Sequence, residues 1–470
     1  YVGFSPLEVK VTKLEGNRFI LKEDSKLLDE VVVVGMDKQK RNTITAAVST
    51  VASDAIVNRP VTDLTSALQG NVAGLNFVTD AAPDGVGGET GAEIKFNIRG
   101  VGSINGNGGE PYVLVDGVEQ SLQNVNPNDI ETISVLKDAS AAAVYGARAA
   151  YGVVLVTTKS GRQEKTRVSY RGTVGFSSPI NMPEMMNSLE FAKYVNERND
   201  NDGVNHKFSD ALIEKMEGFM KNPYSAEFPG IGPNQNGTDW ASSMDAVYAN
   251  TDWFDYYFKD TAIRHSHNLS VTEGSEKFNY YVGLGYTYQD GLLDKVDDNL
   301  SKYNVNTKFQ IIANKWLKFN FNNNITLSIL KRPMANQTIF YGTLGQTIPN
   351  APTHYPIDSE YNDASEFRYL KESHYVQNRI SDAMSFAATI TPLPGWDIVG
   401  EMKVRFDVED NSFKRGYPTV EKPDGELKVD IGTKQGYVYP GMEWKNSKWG
   451  SYTRGNAFNY YLSPNVSTSY

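Results

Sequence analysis

Cysteine is absent from the 470 residues. That removes disulfide frameworks, thiolate metal sites and cysteine nucleophiles from consideration. Histidine is scarce, at five residues. His265 and His267 share one face of a strand at a spacing zinc could use, but no third ligand lies nearby in the sequence. They read as interfacial polar side chains, so neither a metal nor a cofactor is expected. A basic excess is also missing: 46 Lys and Arg stand against 56 Asp and Glu, a net charge of −10. This argues against a nucleic-acid partner or an anionic-lipid surface. No stretch of 18 apolar residues occurs, and mean hydropathy is −0.44, so no transmembrane helix is expected. A membrane β-barrel remains open, because its strands need apolar residues only at alternate positions. No Ser/His/Asp arrangement stands out, and nothing opposes two carboxylates across a cleft. The chain is therefore not expected to be an enzyme, and no catalytic residue is assigned.

The densest organisation lies between Phe96 and Lys159. Three β-branched apolar runs, Tyr112–Val115, Thr132–Leu136 and Gly152–Thr158, read as buried strands. Asn126-Pro127 offers an N-cap with proline in the first turn. Asp138 can cap a short helix over Ala139–Tyr145 that Gly146 closes. Upstream, Leu64, Leu68 and Val72 mark a helical face that begins near Thr62. Two glycine-rich loops, Asp84–Gly91 and Gly100–Gly109, lack the Gly-Lys-Ser/Thr of a phosphate loop and read as surface connections. The result is a small α/β unit.

Within that unit, Arg99-Gly100, Val113-Leu-Val-Asp116-Gly117 and Leu136-Lys137-Asp138-Ala, followed by Ala-Val-Tyr145-Gly146 and Gly152-Val-Val-Leu-Val-Thr-Thr-Lys159, stand in a fixed order. The set resembles the plug signature of TonB-dependent outer-membrane transporters. Its Lys-Asp-Ala-Ser-Ala variant is similar to the SusC-like branch, which imports glycans or peptides. The resemblance implies a TonB box at Glu30, Val31, Val32, Val33, Val34 and Gly35. Such a segment would pair with a partner sheet by strand addition, for which an extended backbone matters more than sequence. Read without the resemblance, four consecutive valines are an ordinary buried strand. It further implies a SusD-like surface lipoprotein as partner, and a role for Arg99 in pairing with acidic barrel residues to hold the plug shut. Asp80 and Asp84 could join a Ca²⁺ site at the top of such a plug, but their spacing is not that of an EF-hand.

After Gly161 the apolar period becomes two. Phe278, Tyr280, Val282, Leu284, Tyr286 and Tyr288 alternate with Asn279, Tyr281, Gly283, Gly285 and Thr287. Runs through Tyr303–Ile311, Phe319–Leu327 and Ile398–Val408 repeat the pattern, apolar on one side and Asn- or Lys-rich on the other. Such runs suit a lipid-facing wall around a wet lumen. The 27 Tyr and 6 Trp are what interfacial girdles would use. Connections also alternate: a long insertion to about Thr261, a short turn at Glu273–Glu276, a medium loop at Asp290–Leu300, and a short turn at Ala313–Lys315. A long loop at about Leu330–Asn378, the short Pro392–Gly395 and a long loop at Asp410–Ser451 complete the series. Short periplasmic turns and long extracellular loops have this asymmetry. The first insertion carries an amphipathic helix through Phe208, Leu212, Met216 and Phe219. Its aromatics Trp240, Trp253, Tyr256 and Tyr257 could stack on sugar rings or pack the loop.

The expected fold is an α/β plug followed by about eight strands of a large antiparallel transmembrane β-barrel. A barrel that holds a plug needs on the order of 22 strands, so the chain is expected to be the front of a longer one that closes the barrel. The expected division is residues 1–26 as the tail of a carboxypeptidase-regulatory-like β-sandwich, 27–40 as TonB box and linker, 41–161 as plug, and 162–470 as barrel. The resemblance implies TonB-dependent import of a glycan or peptide across the bacterial outer membrane, with TonB, the lipoprotein and outer-membrane lipid as partners. Two alternatives are a TonB-dependent siderophore or vitamin receptor, and a soluble β-rich protein that binds or cleaves glycans.

Overall fold

The computed structural model describes residues 31–34, 37–40, 48–57, 64–72, 74–79, 90–92, 94–98, 100, 109–138, 142–162, 165–180, 182–232, 236, 246–333, 347–353, 374–415, 419–421, 427–429 and 451–469. At the front, β1 (Val31–Val34) and β2 (Asp37–Lys40) pair antiparallel, Val31 opposite Lys40 and Val34 opposite Asp37. They form a two-stranded sheet of their own.

The α/β unit follows as β3 (Val48–Ala52), α1 (Ser53–Val57), α2 (Leu64–Leu68), β4 (Leu75–Thr79), β5 (Ile94–Ile98), β6 (Tyr112–Val115), β7 (Val118–Glu119), β8 (Ile130–Leu136) and β9 (Val153–Thr158). Its sheet runs in the order β3-β8-β9-β6-β7, and β4 pairs separately with β5. Only β6 and β9 are parallel; the other neighbours are antiparallel. β8 and β9 read as continuous β-branched runs because both faces are covered. One face packs Ile133, Val135, Val154 and Val156 against Ile56, Leu64 and Leu68 of α1 and α2. The other packs Leu136, Val153 and Leu155 against Ala142 and Ala149. The expected helix near Thr62 is short, but Leu64, Leu68 and Val72 are buried as its pattern requires. Residues 139–141 of the helix expected over Ala139–Tyr145 lie outside the described residues. The Ala142 N–H donates to the Asp138 carbonyl, as a helical turn starting there requires. In the 3₁₀ stretch over Ala143–Ala149, Gly146 breaks the helical path at φ 68°, ψ −157°, so that a second short turn follows it. That conformation is open essentially to glycine alone. It bends the segment so that Ala149 reaches the same cluster as Ala142.

The rest of the chain contains β10 (Arg167–Ser177), α3 (Ser188–Asn201), α4 (Asp210–Lys221), α5 (Trp253–Tyr257), β11 (Ala262–Gly274), β12 (Phe278–Asp290), β13 (Asn299–Asn314), β14 (Leu317–Pro333), β15 (His374–Leu393), β16 (Trp396–Arg415), β17 (Thr419–Glu421), β18 (Leu427–Val429) and β19 (Ser451–Ser469). Eight of these strands form one sheet in the order β10-β11-β12-β13-β14-β15-β16-β19. Every neighbouring pair in it is antiparallel. Tight turns join β11 to β12, β13 to β14 and β15 to β16, and the intervening links are long. Long connections therefore all emerge on one rim.

The two faces of this wall are inverted relative to a soluble protein. Leu269, Leu284, Tyr303, Ile311, Phe386 and Met402 are exposed on one face. On the other, Asn268, Asn279, Asn304, Asn306, Lys308 and Ser385 are buried. Ring pairs, stacked or tilted, run across the exposed face at two levels. Phe278–Phe309 and Phe309–Phe321 lie toward the tight turns, and His265–Tyr288 and Tyr286–Tyr303 toward the long loops. Two aromatic bands flanking an apolar band are what a bilayer selects on a barrel exterior.

Above the long-loop rim, α3 and α4 pack on each other. A capping box at Asn187 and Glu190 starts α3, and Ser209 caps α4. The amphipathic face expected of α4 is buried, with Phe208, Leu212, Met216 and Phe219 in one cluster.

Candidate functional site

Among the described residues, buried polar groups from both parts converge at the seam between the α/β unit and the inner face of the wall. Two short 3₁₀ turns build the unit's side of it. Ser121 caps Leu122–Asn124 and Asn126 caps Pro127–Asp129, each side-chain oxygen accepting a backbone N–H. The cap leaves the Asn126 amide free to donate to Asn268 Oδ1 of β11 at 2.7 Å. The Tyr281 hydroxyl of β12 donates to Asp129 Oδ1 at 2.6 Å. Thr326 of β14 donates to the Asn124 carbonyl and accepts from the Asn304 amide at 2.8 Å.

Two glycines of β12 make this approach possible. A Cβ on Gly283 would stand 2.4 Å from Asp129 Oδ1, and one on Gly285 would stand 2.3 Å from the Asn126 amide nitrogen. Any side chain at either position would force the Asp129 carboxylate or the Asn126 amide out of its present place.

A second anchor forms at the β6–β7 turn. Asp116 and Gly117 both have positive φ, 48° and 81°, as the two-residue hairpin turn requires. This conformation points the Asp116 carboxylate back across the sheet. It accepts from the Thr158 backbone N–H at 3.1 Å and the Thr158 hydroxyl at 2.6 Å. Lys308 of β13 reaches the same carboxylate at 2.6 Å and the Thr158 carbonyl at 2.8 Å. Both side chains are nearly buried, 11% and 14% exposed. On the far side, Arg405 of β16 donates to the Glu119 carbonyl. Arg148 pairs with the Glu119 carboxylate and lies over the Tyr112 ring at 4.8 Å.

Burial governs the charges on the unit's side. Complete burial pushes the Asp129 carboxyl up to about 6, against the opposing Tyr281 hydrogen bond and the nearby Lys159 and Lys308. Burial likewise lowers Lys159, whose ammonium donates to the Asn128 carbonyl at 2.7 Å. At the long-loop rim, Thr90 hydrogen-bonds Asp298, whose carboxyl burial raises, and Gly91 abuts Leu330.

The residues singled out in the sequence distribute as follows. Asp116 and Gly117 sit in the seam. Lys137 donates to Ser49 Oγ at 2.6 Å and ties β3 to the end of β8. The Asp138 carbonyl accepts from the Ala142 N–H at 3.0 Å, and Tyr145 meets the Tyr112 ring edge-on. Gly146 forms the bend, and Gly100 has a φ of 102°. Val31–Val34 form β1, whereas Glu30, Gly35, Arg99, Asp80, Asp84 and Trp240 lie outside the described residues. The plug-to-wall ion pair found among the described residues has the opposite polarity to the one expected of Arg99: the acid is in the unit and the base in the wall.

Trp253 and Tyr257 are buried in the loop core with Leu293, and the Trp253 indole donates to the Ile348 carbonyl at 2.9 Å. They pack the loop and offer no stacking face. His267 accepts or donates with the Tyr170 hydroxyl at 2.7 Å, and His265 stacks on Tyr288. Among the described residues no group of three or more metal-ligating side chains converges. The sequence reading missed Asn126 as a wall contact, together with Asp129, Lys308, Gly283 and Gly285. The available signal was Gly-x-Gly on the polar side of a strand whose other inward residues carry side chains.

Comparison with known proteins agrees with this geometry. Residues 40–153 match the family model for the TonB-dependent Receptor Plug Domain. The chain is 31% identical over 344 residues to TonB-dependent receptor SusC of Bacteroides thetaiotaomicron, covering 67% of this chain and 29% of that protein. It is 31% identical over 444 residues to TonB-dependent receptor P26 of Formosa agariphila, covering 90% of this chain and 39% of that one. Among solved structures, the RagAB peptide importer in its open-open state superposes with a TM-score of 0.63 at 26% identity, over 83% of this chain and 43% of that chain. The chain thus spans well under half the length of each.

Proposed function

Because the chain belongs to the SusC-like TonB-dependent receptors of the outer membrane, we propose that it forms the plug and part of the barrel wall of an active importer of glycans or peptides. The observation that carries this reading is the inverted wall, apolar outside and polar inside, with the plug hydrogen-bonded to its inner face. The importer reading is preferred to a soluble glycan-binding protein because a soluble wall would bury its apolar face. The likeness to the RagAB peptide importer favours a peptide over a metal chelate as cargo.

In this reading the residues Glu30–Gly35 are the TonB box. β1 is paired on one side by β2, and its other edge is the one that TonB would extend by strand addition. Force applied there passes along the chain to β3, the edge strand of the plug sheet. A SusD-like surface lipoprotein would cover the long-loop rim and hand cargo to the lumen. Deleting residues 28–35 in the full receptor is expected to abolish uptake of labelled peptides or oligosaccharides while membrane insertion, read by heat-shifted gel mobility, is unchanged. Uptake that survives the deletion would remove the TonB box from this segment.

A further inference from the structure

The plug must remain sealed against the wall until it is pulled, and the seal needs a defined register between two surfaces that are both polar. A polar seam alone is permissive, since Asn, Ser and Thr can exchange partners with one another and with water. Steric fit is not permissive. Along the seam, a close fit between the two parts lies at β12, where the missing side chains of Gly283 and Gly285 receive the Asn126 and Asp129 side chains of the turn. Both glycines face inward, since Gly283 pairs with Asn306 and Gly285 with Asn304, which are buried. Glycine weakens a strand, so two of them two residues apart on one face cost stability that a close backbone or side-chain approach must justify.

We propose that Gly283 and Gly285 form the positioning notch for the plug: the Asn126–Asp129 turn drops into it, and this fit fixes the plug's register and holds the lumen closed at rest. This rests on the importer reading above. Gly283 and Gly285 give the shape, the Asn126 amide on Asn268 and the Tyr281 hydroxyl on Asp129 give the direction. The Pro127 ring and the Asn126 cap make the turn rigid enough to be read as a shape. Asn126, Asp129, Gly283 and Gly285 are thus positioning residues, none of which touches cargo.

The test measures passive leak in the full receptor, reconstituted in planar bilayers without TonB or cargo. Gly283→Ala and Gly285→Ala are each expected to raise open-channel events by about tenfold, the population shift that moderate overpacking produces. Gly400→Ala is the control, because nothing lies within 4 Å of a Cβ built there. Combining Gly283→Ala with Asp129→Ala removes the overlapping carboxylate, so the double variant is expected to leak no more than Asp129→Ala alone. That non-additivity is what a direct fit predicts and a general weakening of β12 does not. Leak equal to wild type in both alanine variants, or leak that simply adds in the double variant, would overturn the notch. If Gly283→Ala does not insert, the plug-side pair Asn126→Ala with Asp129→Ala decides in its place: a sealed channel refutes the proposal and a leaking one supports it. Removing residues 41–161 sets the ceiling. A plug-less receptor that passes no current would strike the importer reading itself, separately from the notch.

Discussion

Asp116 and Lys308 illustrate how one buried pair can be both anchor and liability. Each is nearly buried and each has other partners, two from Thr158 on the carboxylate and one on the ammonium. Replacing Lys308 by Met leaves the carboxylate desolvated without its counter-charge, and about 3 kcal/mol of plug stability is expected to be lost. A urea titration following plug unfolding in the full receptor checks this. Exchanging the two charges, Asp116→Lys with Lys308→Asp, is expected not to rescue, because the Thr158 N–H would then face an ammonium. Asp129 predicts a pH effect whose sign follows from its environment. Its value in the folded plug is about 6, above the ordinary 3.8, so the folded state holds the proton more tightly than the unfolded one. Plug stability should therefore fall as pH rises from about 4 to about 6 and change little above that. The groups that face it are the Tyr281 hydroxyl and the Lys159 and Lys308 ammoniums. Asp129→Asn keeps an acceptor for the Tyr281 hydroxyl and should flatten the profile; a slope that persists would assign it elsewhere.

Elements differ in how much of their behaviour their own residues decide. α4 is legible from Phe208, Leu212, Met216 and Phe219 because helical spacing acts locally, and the structure adds a Ser209 cap. Ser209→Ala should cost the helix about 1 kcal/mol, measured as faster amide exchange over Asp210–Lys221. The wall strands were legible for the same reason: period-two alternation survives whatever the plug does. β1 was legible as extended chain, but its antiparallel pairing with β2 was not, since nothing in Asp37–Lys40 resembles a strand by composition. Its proposed role can be probed in the element itself. Val32→Pro removes a backbone N–H and fixes φ, and should abolish uptake without changing membrane insertion or cargo binding at the surface. The break at Gly146 is legible, but the second short turn that continues to Ala149 is not, because alanine-rich sequence favours a helix anywhere. Its position is set by what Ala142 and Ala149 must cover.

At the scale of the molecule, the inverted wall is a statement about solvent. Leu284→Arg on the apolar face is expected to destabilise the folded barrel by about 2–4 kcal/mol near mid-depth, read from the urea dependence of heat-shifted mobility in liposomes. One contact on that face departs from the pattern: the Asn323 amide donates to Asp382 at 2.6 Å, although both residues share the outward side with Ile325, Leu327, Ile380 and Phe386. Where lipid covers this face, Asp382→Leu should stabilise the barrel. A loss instead would mean that protein covers it.

The sequence by itself determined the architecture: a plug signature in fixed order, strands of period two, and long and short links in alternation. These are local or repetitive signals, and each is written into neighbouring residues. The tertiary structure decided the seam. Which polar side chain of the wall meets which turn of the plug depends on residues up to 286 positions apart, as between Glu119 and Arg405. No spacing along the chain encodes such a contact. Lys308 reads in sequence as one more lumen-facing lysine, and Gly283 and Gly285 as gaps in an aromatic strand. Only when the sheet curves around the plug does the lysine find a buried carboxylate, and only then do the two glycines become the space that another part of the chain fills.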